Sequence, residues 1–308
     1  MPSAGTVTRD GWIETMEPTL LELWTWGLES FDVWKKIWVK KQSNKRREEL
    51  FEYARPRAVV ETPEGAPYVQ LTIERVRTAA AIHIDVTGSI RITRQMQRDK
   101  QYDEMEEQSW GLGEAMNRKL LDDALLPYQE GFGSYTGADG LSWFNASHVC
   151  SKRTSSTWSN TGTAAFSPDA FDDMLTAMSI EKNEHGQITP SDSGSPTIQV
   201  IHTPQNRRLV AQTAMKGQYE PRSADFNIST FDIDPICIPQ LVQSDQAWAN
   251  TMWFGRNPRK AKNIYFEREA PSFDSWRDRT NDDVVVTTRA AYSFLVASAH
   301  GVHGRNPS

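Results

Sequence analysis

The run DEMEEQSWGLGEAMNRKLLDDALLP, residues 103–127, carries the clearest periodicity in the chain. Leu112, Met116, Leu120 and Ala124 recur at every fourth position, and Met105, Leu121 and Leu125 widen the same face. That spacing predicts one long amphipathic helix from Asp103 to about Leu126. Pro127 is expected to stop it, because proline offers no N–H and clashes with the preceding turn. Gly111 and Gly113 each cost about 1 kcal/mol inside a helix. Close approach of another backbone would explain why they are there.

Upstream, RPRAVVETPEGAPYVQLTIERVRTAAAIHIDVTGSIRITRQ (55–95) alternates apolar and polar residues: Val69, Leu71 and Ile73, then Ile82, Ile84 and Val86, then Ile90 and Ile92. Pro63, Gly65, Pro67 and Gly88 punctuate it, so it reads as an extended hairpin from about Ala58 to Ile92. Arg75, Arg77, Asp85, Arg91 and Arg94 imply that much of it faces water or another subunit. Residues 1–16 read as an unanchored arm, followed by a helix from Pro18 to about Lys41. Leu20, Trp24, Leu28, Phe31, Trp34 and Trp38 form its stripe. Lysines and arginines cluster after Trp34, as on a membrane-surface or nucleic-acid helix. Acidic Glu22, Glu29 and Asp32 interrupt that basic face, which favours packing of the stripe on protein.

Downstream, Ser167-Pro168 is an N-cap with a first-turn proline, followed by a buried face of Phe171, Met174, Leu175 and Met178. PTIQVIH (196–202) reads as a strand and Thr203-Pro204 as the cap of another helix. NISTFDIDPICIPQL, AWANTMWF, NIYFERE and DVVVTTRAAYSFLVAS read as later strands. Helices and strands mix without a regular βαβ rhythm, so the class is α+β.

The 308 residues carry a net charge of −6, with 38% hydrophobic and 24% charged residues, the balance of a water-soluble globular chain. A negative total excludes a protein built around phosphate neutralisation. No stretch is long and apolar enough for a membrane span, and the first residues lack the pattern of a signal peptide. Two cysteines, Cys150 and Cys237, make neither a disulfide framework nor a metal knuckle and fit a reducing compartment.

In GADGLSWFNASHVCSKR (137–153), His148 and Cys150 are two apart and would share a face on a strand. A thiol–imidazole dyad also needs an orienting group and a lowered thiol pKa, and no nucleophile signature surrounds Cys150. His83, His185, His202, His300, His303 and Cys237 show no zinc spacing. Phosphate-cradling glycine motifs are absent. The residues therefore point away from an enzyme and call for no cofactor or metal.

LGEAMNRKLLDDALLP (112–127), YTGADGLSWFNASHV (135–149) and WSNTGTAAFSPDAFDDMLTAM (158–178) together resemble the major capsid proteins of tailed bacteriophages, with the Mu-like branch of the Hong Kong 97-like fold the nearest likeness. The positions that carry it are Asp139-Gly140, Leu141, Phe144, Ser147-His148 and Ser159-Asn160. TIQVIHTPQNRRLVAQTAM and LVQSDQAWANTMWFG add weaker likenesses, and Val149 departs from the family's usual proline.

The resemblance implies an N-terminal arm with an amphipathic helix (1–55), an extended loop hairpin (56–95) and a peripheral domain with a spine helix (96–165). An axial domain (166–275) and return strands with a C-terminal tail (276–308) would follow. It implies a structural protein that forms hexamers and pentamers of itself, closing into an icosahedral head around double-stranded DNA held without sequence preference. A separate scaffolding protein, a portal and a cement protein are the implied partners, with assembly in the bacterial cytoplasm and no membrane. Tyr68, Arg75, Arg77, Arg91, Trp24, Trp34 and Trp38 are the candidate intersubunit contacts, and His148 becomes a turn-stabilising residue. The alternatives are an encapsulin-like compartment shell and a Cys/His hydrolase acting through Cys150.

Overall fold

A computed structural model describes residues 9–54, 61–65, 67, 68, 70, 73–151, 154–188, 197–214, 232–241 and 251–307. In chain order, helix α1 (Arg9–Leu28) leads through a 3-10 turn (Val33–Lys36) to strands β1 (Val39–Gln42), β2 (Arg47–Ala54), β3 (Glu74–Ile82) and β4 (Ile84–Ile92). Helices α2 (Arg94–Arg98) and α3 (Tyr102–Glu130) follow, then β5 (His148–Ser151), β6 (Thr154–Trp158) and β7 (Thr161–Gly162). Next come α4 (Pro168–Ser179), β8 (Ile198–His202), α5 (Arg207–Ala214) and β9 (Ile233–Cys237). Strands β10 (Trp253–Arg256), β11 (Asn263–Arg277), β12 (Val284–Val296) and β13 (Val302–Arg305) complete the order. The mixture is α+β, and among the described residues no helix is long and apolar enough to cross a membrane.

Two compact units share the chain, each from three segments: residues 1–48, 81–124 and 265–294 in the first, and 49–80, 125–264 and 295–308 in the second. The first is built on a four-stranded sheet in the order β1-β11-β12-β4. Leu20 and Trp24 of α1 and Met105 and Leu112 of α3 meet Ile92, Val284 and Val286 of that sheet in one buried cluster. Helices α1 and α3 run side by side in the same direction, since Ser109 Oγ donates to Leu20 O at 2.7 Å and, further along both segments, Asn117 Nδ2 donates to Ser30 Oγ. At their closest point a Cβ on Gly113 would lie 2.1 Å from Trp24 O, and one on Gly27 2.2 Å from Trp110 O. Gly113 is therefore the expected close approach. Gly111 is not, because a Cβ there would meet open space.

The expected single helix over 18–41 is corrected: α1 begins at Arg9 and ends at Leu28, and Val39 already lies in a strand. Ser30 Oγ bonds back to Gly27 O and closes the last turn. The chain then turns over the sheet so that Trp34 packs edge-on against Tyr265 and Phe294, and Trp38 against Phe294. The indole Nε1 of Trp38 donates to Ala124 O. Every residue of the stripe falls at a helical spacing, but its second half is satisfied by a 3-10 turn and the bend before β1.

The hairpin over 58–92 is also corrected. Strand β3 pairs with β2, whereas β4 pairs antiparallel with β12 from Ile92–Val284 to Ile84–Tyr292. The change of partner falls at His83, whose ring nitrogens are held by the hydroxyls of Ser43 and Ser293, each at 3.1 Å. Val69 and Leu71 lie outside the described residues.

The second unit is built on a five-stranded sheet in the order β7-β13-β10-β8-β9. Alternation along its strands sends Ile198, Val200 and Trp253 to one face, where Phe171, Met174 and Met178 of α4 and Val210 of α5 cover them. Ser167 Oγ caps α4 through the Ala170 N–H, as expected from Ser-Pro. On the opposite face Phe254 packs with Tyr128, Phe132 and Phe144. Pro127 does not stop α3, which runs on to Glu130. Leu125 and Tyr128 on either side of it are fully buried, and their burial outweighs one backbone hydrogen bond missing from a final turn.

Substituting Gly113→Val is expected to destabilise the protein by about 3 kcal/mol, because its side chain would strike the backbone of α1. Gly111→Ala is expected to stabilise it by up to about 1 kcal/mol. Urea unfolding of the two variants checks both signs.

Candidate functional site

Asp139-Gly140, one of the positions that carry the capsid resemblance, forms a turn: Gly140 has φ +78°, and Gly137 N donates to Leu141 O at 2.7 Å. The turn aims Asp139 at His148, with Oδ2 2.6 Å from Nδ1. The other ring nitrogen lies 3.0 Å from Asn160 Oδ1 and 3.2 Å from Trp143 O. Asn160 Nδ2 donates in turn to Trp143 O at 2.8 Å and to Val302 O at 3.2 Å. His148 and Asn160 are both fully buried. Burial alone would raise the Asp139 carboxyl, but the hydrogen bond and charge of His148 outweigh it and hold the carboxyl below the ordinary value.

This geometry settles what the neighbouring thiol can do. Both His148 nitrogens face oxygen acceptors, so neither is left to take a proton from Cys150. A register shift between Val149 and Ser151 also breaks the even strand on which the two side chains would have stacked. Burial pushes the Cys150 thiol up, away from the thiolate a nucleophile requires. His148 instead stacks on Trp158 at 4.9 Å, and the far face of Trp158 meets His300 at 4.4 Å.

Beyond that stack lies a second carboxylate–histidine pair that the sequence gave no sign of. Glu181 Oε1 accepts from Gly301 N at 3.0 Å and lies 2.9 Å from His303 Nε2. Burial would raise Glu181, and the His303 hydrogen bond leads the effects that instead hold it down. Burial lowers His303 below 6.5, so Nε2–H donates to a charged Glu181. His303 lies on β13. Glu181 lies 122 residues away in the chain and no motif frames it. Among the described residues no three His, Cys, Asp or Glu side chains converge as a metal-ligand set.

The candidate intersubunit residues divide by exposure. Tyr68 is 97% exposed, and Arg75 lies over the Phe51 ring at 3.6 Å on the β2–β3 sheet. Arg77 is turned inward, with its guanidinium 3.7 Å from Glu52 and bonded to Val149 O. Arg91 stands 3.6 Å from Asp283 and 3.8 Å from Asp278 of its own chain. Trp24, Trp34 and Trp38 are each no more than 5% exposed. They fill the chain's own core, which leaves them little surface to offer a neighbour.

The folded protein keeps His303 neutral, whereas the unfolded chain takes up a proton near pH 6.5. Stability is therefore expected to fall as the pH drops below that value, by up to about 1.4 kcal/mol per pH unit for one such group. His303→Gln is expected to flatten the decline between neutral and mildly acid pH, read from urea midpoints. An unchanged slope would remove His303 as its source.

Comparison with solved structures finds the same fold in several phage shells. The cyanophage Pam1 capsid matches with a TM-score of 0.56 at 13% identity, covering 87% of this chain and 88% of that one. The capsid of Ralstonia phage GP4 gives 0.55 at 12% identity over 88% and 87%. The mature capsid of bacteriophage PhiM1 gives 0.51 at 12% over 88% and 85%. At these identities the likeness speaks for the fold, which is the Hong Kong 97-like one. No curated protein sequence matches the chain. The sequence profile of the family described as phage capsid protein matches residues 80–303, close to three quarters of the chain, and the chain belongs to that family.

Proposed function

We propose that this protein is the major head subunit of a tailed bacteriophage, of the Mu-like branch, forming hexamers and pentamers that close into an icosahedral shell. The family match over residues 80–303 carries the reading. In the bacterial cytoplasm the shell would assemble with a separate scaffolding protein and a portal, then hold double-stranded DNA without reading its sequence. A net charge of −6 suits weak contact with that polyanion. The role requires no catalysis, in keeping with a buried, protonated Cys150.

The β2–β3 sheet supports the same reading. A two-stranded sheet is marginal by itself and offers unpaired edges. Here it and its connection expose Tyr53, Tyr68, Ile73 and Ile82 to 51%, 97%, 63% and 62%. In a closed shell the neighbouring subunit would cover them, with Arg75 and Tyr68 as contacts. Arg77 and Arg91 are better placed to hold their own subunit together.

Electron microscopy of the expressed protein, with the phage's scaffolding protein supplied, is expected to find closed particles. Tyr68→Asp combined with Arg75→Glu is expected to abolish particles while the circular dichroism spectrum is kept. Normal particles from that variant would remove this sheet from the interface. A wild-type chain that stays monomeric with the scaffold present would overturn the shell reading.

A further inference from the structure

The parallel pair of α1 and α3 leaves two large aromatic side chains in water. Trp26 is 58% exposed and Trp110 40%. They flank the tight crossing, because a Cβ on Gly27 would meet Trp110 O and Glu114 N. The face of α1 that carries Gly27 thus lies against the α3 backbone from Trp110 to Glu114. Leu21 and Tyr102 extend the apolar exposure along the same two helices.

The chain on either side of each indole is rich in carboxylates. From Asp10 to Trp34 the chain has no lysine or arginine, and from Tyr102 to Asn117 it again has none. Asp32 pairs with Lys35 and Glu114 with Arg118. Glu22, Glu29, Asp103, Glu104 and Glu107 are exposed, and none has a cationic partner among the described residues. Such a surface repels DNA and anionic lipid. A second copy docked face to face would set these carboxylates against each other. Ammonium and guanidinium groups are attracted both to carboxylates and to the face of an indole.

We propose that the Trp26–Trp110 face of α1 and α3 is a docking surface for a basic amphipathic helix of another protein. Its apolar side covers the two indoles and its lysines and arginines meet the flanking carboxylates.

The test titrates the full chain with a labelled peptide of leucine and lysine patterned as an amphipathic helix, read by fluorescence anisotropy. A leucine–glutamate analogue with the same apolar face is the control. The lysine peptide is expected to bind with an affinity that falls as salt rises, and the glutamate peptide not to bind. Trp26→Ser with Trp110→Ser is expected to weaken binding at least about tenfold, as loss of two interfacial tryptophans typically does. Glu22→Gln with Glu29→Gln and Glu107→Gln, all exposed and harmless to the fold, is expected to flatten the salt dependence, and Asp85→Asn on β4 to change nothing. Equal binding of both peptides, or unaltered binding by the tryptophan variant, would overturn the proposal. So would a tryptophan variant that changed only self-association or only binding to neutral vesicles. Peptide binding is read whether or not particles form, so it can fail while the shell reading stands.

Discussion

A fully buried histidine, a fully buried asparagine and a mostly buried carboxylate can share an interior only if their donors and acceptors match, since each unmatched group costs about 1–3 kcal/mol. Asp139, His148 and Asn160 meet that condition by reaching across the chain. Asp139 fixes one ring nitrogen and Asn160 the other, and the Asn160 amide spans Trp143 O and Val302 O. The backbone of Asn160 also pairs with Asn145 and Gly304. The stretch from Asp139 to Asn160 and the distant residues 302–304 are thereby placed together, and β13 is held between β7 and β10 in the five-stranded sheet. The Glu181–His303 pair fastens the same C-terminal stretch from another side. The second unit thus depends on a polar knot more than on any one hydrophobic contact.

Among the described residues the tryptophans fall into two physical groups. Trp24, Trp34, Trp38, Trp143, Trp158 and Trp253 are interior, each within a few percent of complete burial. Several leave an indole N–H without an acceptor, as at Trp24, Trp34, Trp143 and Trp158. Their ring area evidently outweighs that loss, as expected for side chains that bury 150–250 Å² each. Trp26, Trp110 and Trp276 stay 40–58% exposed. Composition counted both groups alike, and only the fold separates core from surface.

Local signals were legible where one short segment settles its own structure. Ser167-Pro168 fixes the start of α4, and the four-residue spacing of Leu112, Met116, Leu120 and Ala124 fixes α3. The turn at Asp139-Gly140 was marked instead by the capsid resemblance. Signals that depend on distant partners were not legible. The stripe from Leu20 to Trp38 keeps helical spacing through a 3-10 turn and a bend, because aromatic rings of a sheet built from distant segments meet it there. Nothing near residue 83 announces that β3 and β4 take different partners, since Ser43 and Ser293, which hold His83, are far away in sequence. Glu181 lacks any local motif for the same reason. The outline of the fold was readable, whereas the polar clusters and the division of exposed from buried tryptophans required coordinates.

The interleaving of the two units has a consequence for biosynthesis. Each unit draws on an early segment, a middle one and a late one, with 265–294 needed by the first and 295–308 by the second. A nascent chain arrested before these segments can form α1, α3 and α4 but can close neither sheet. Until then β4 lacks β12 and β10 lacks β13, so strand edges and apolar faces stand open during translation. Long-range closures of this kind are slow and prone to misassociation. Ribosome-associated chaperones would be the natural custodians of that interval, and the rate at which competent subunits appear would follow their supply as well as the rate of synthesis.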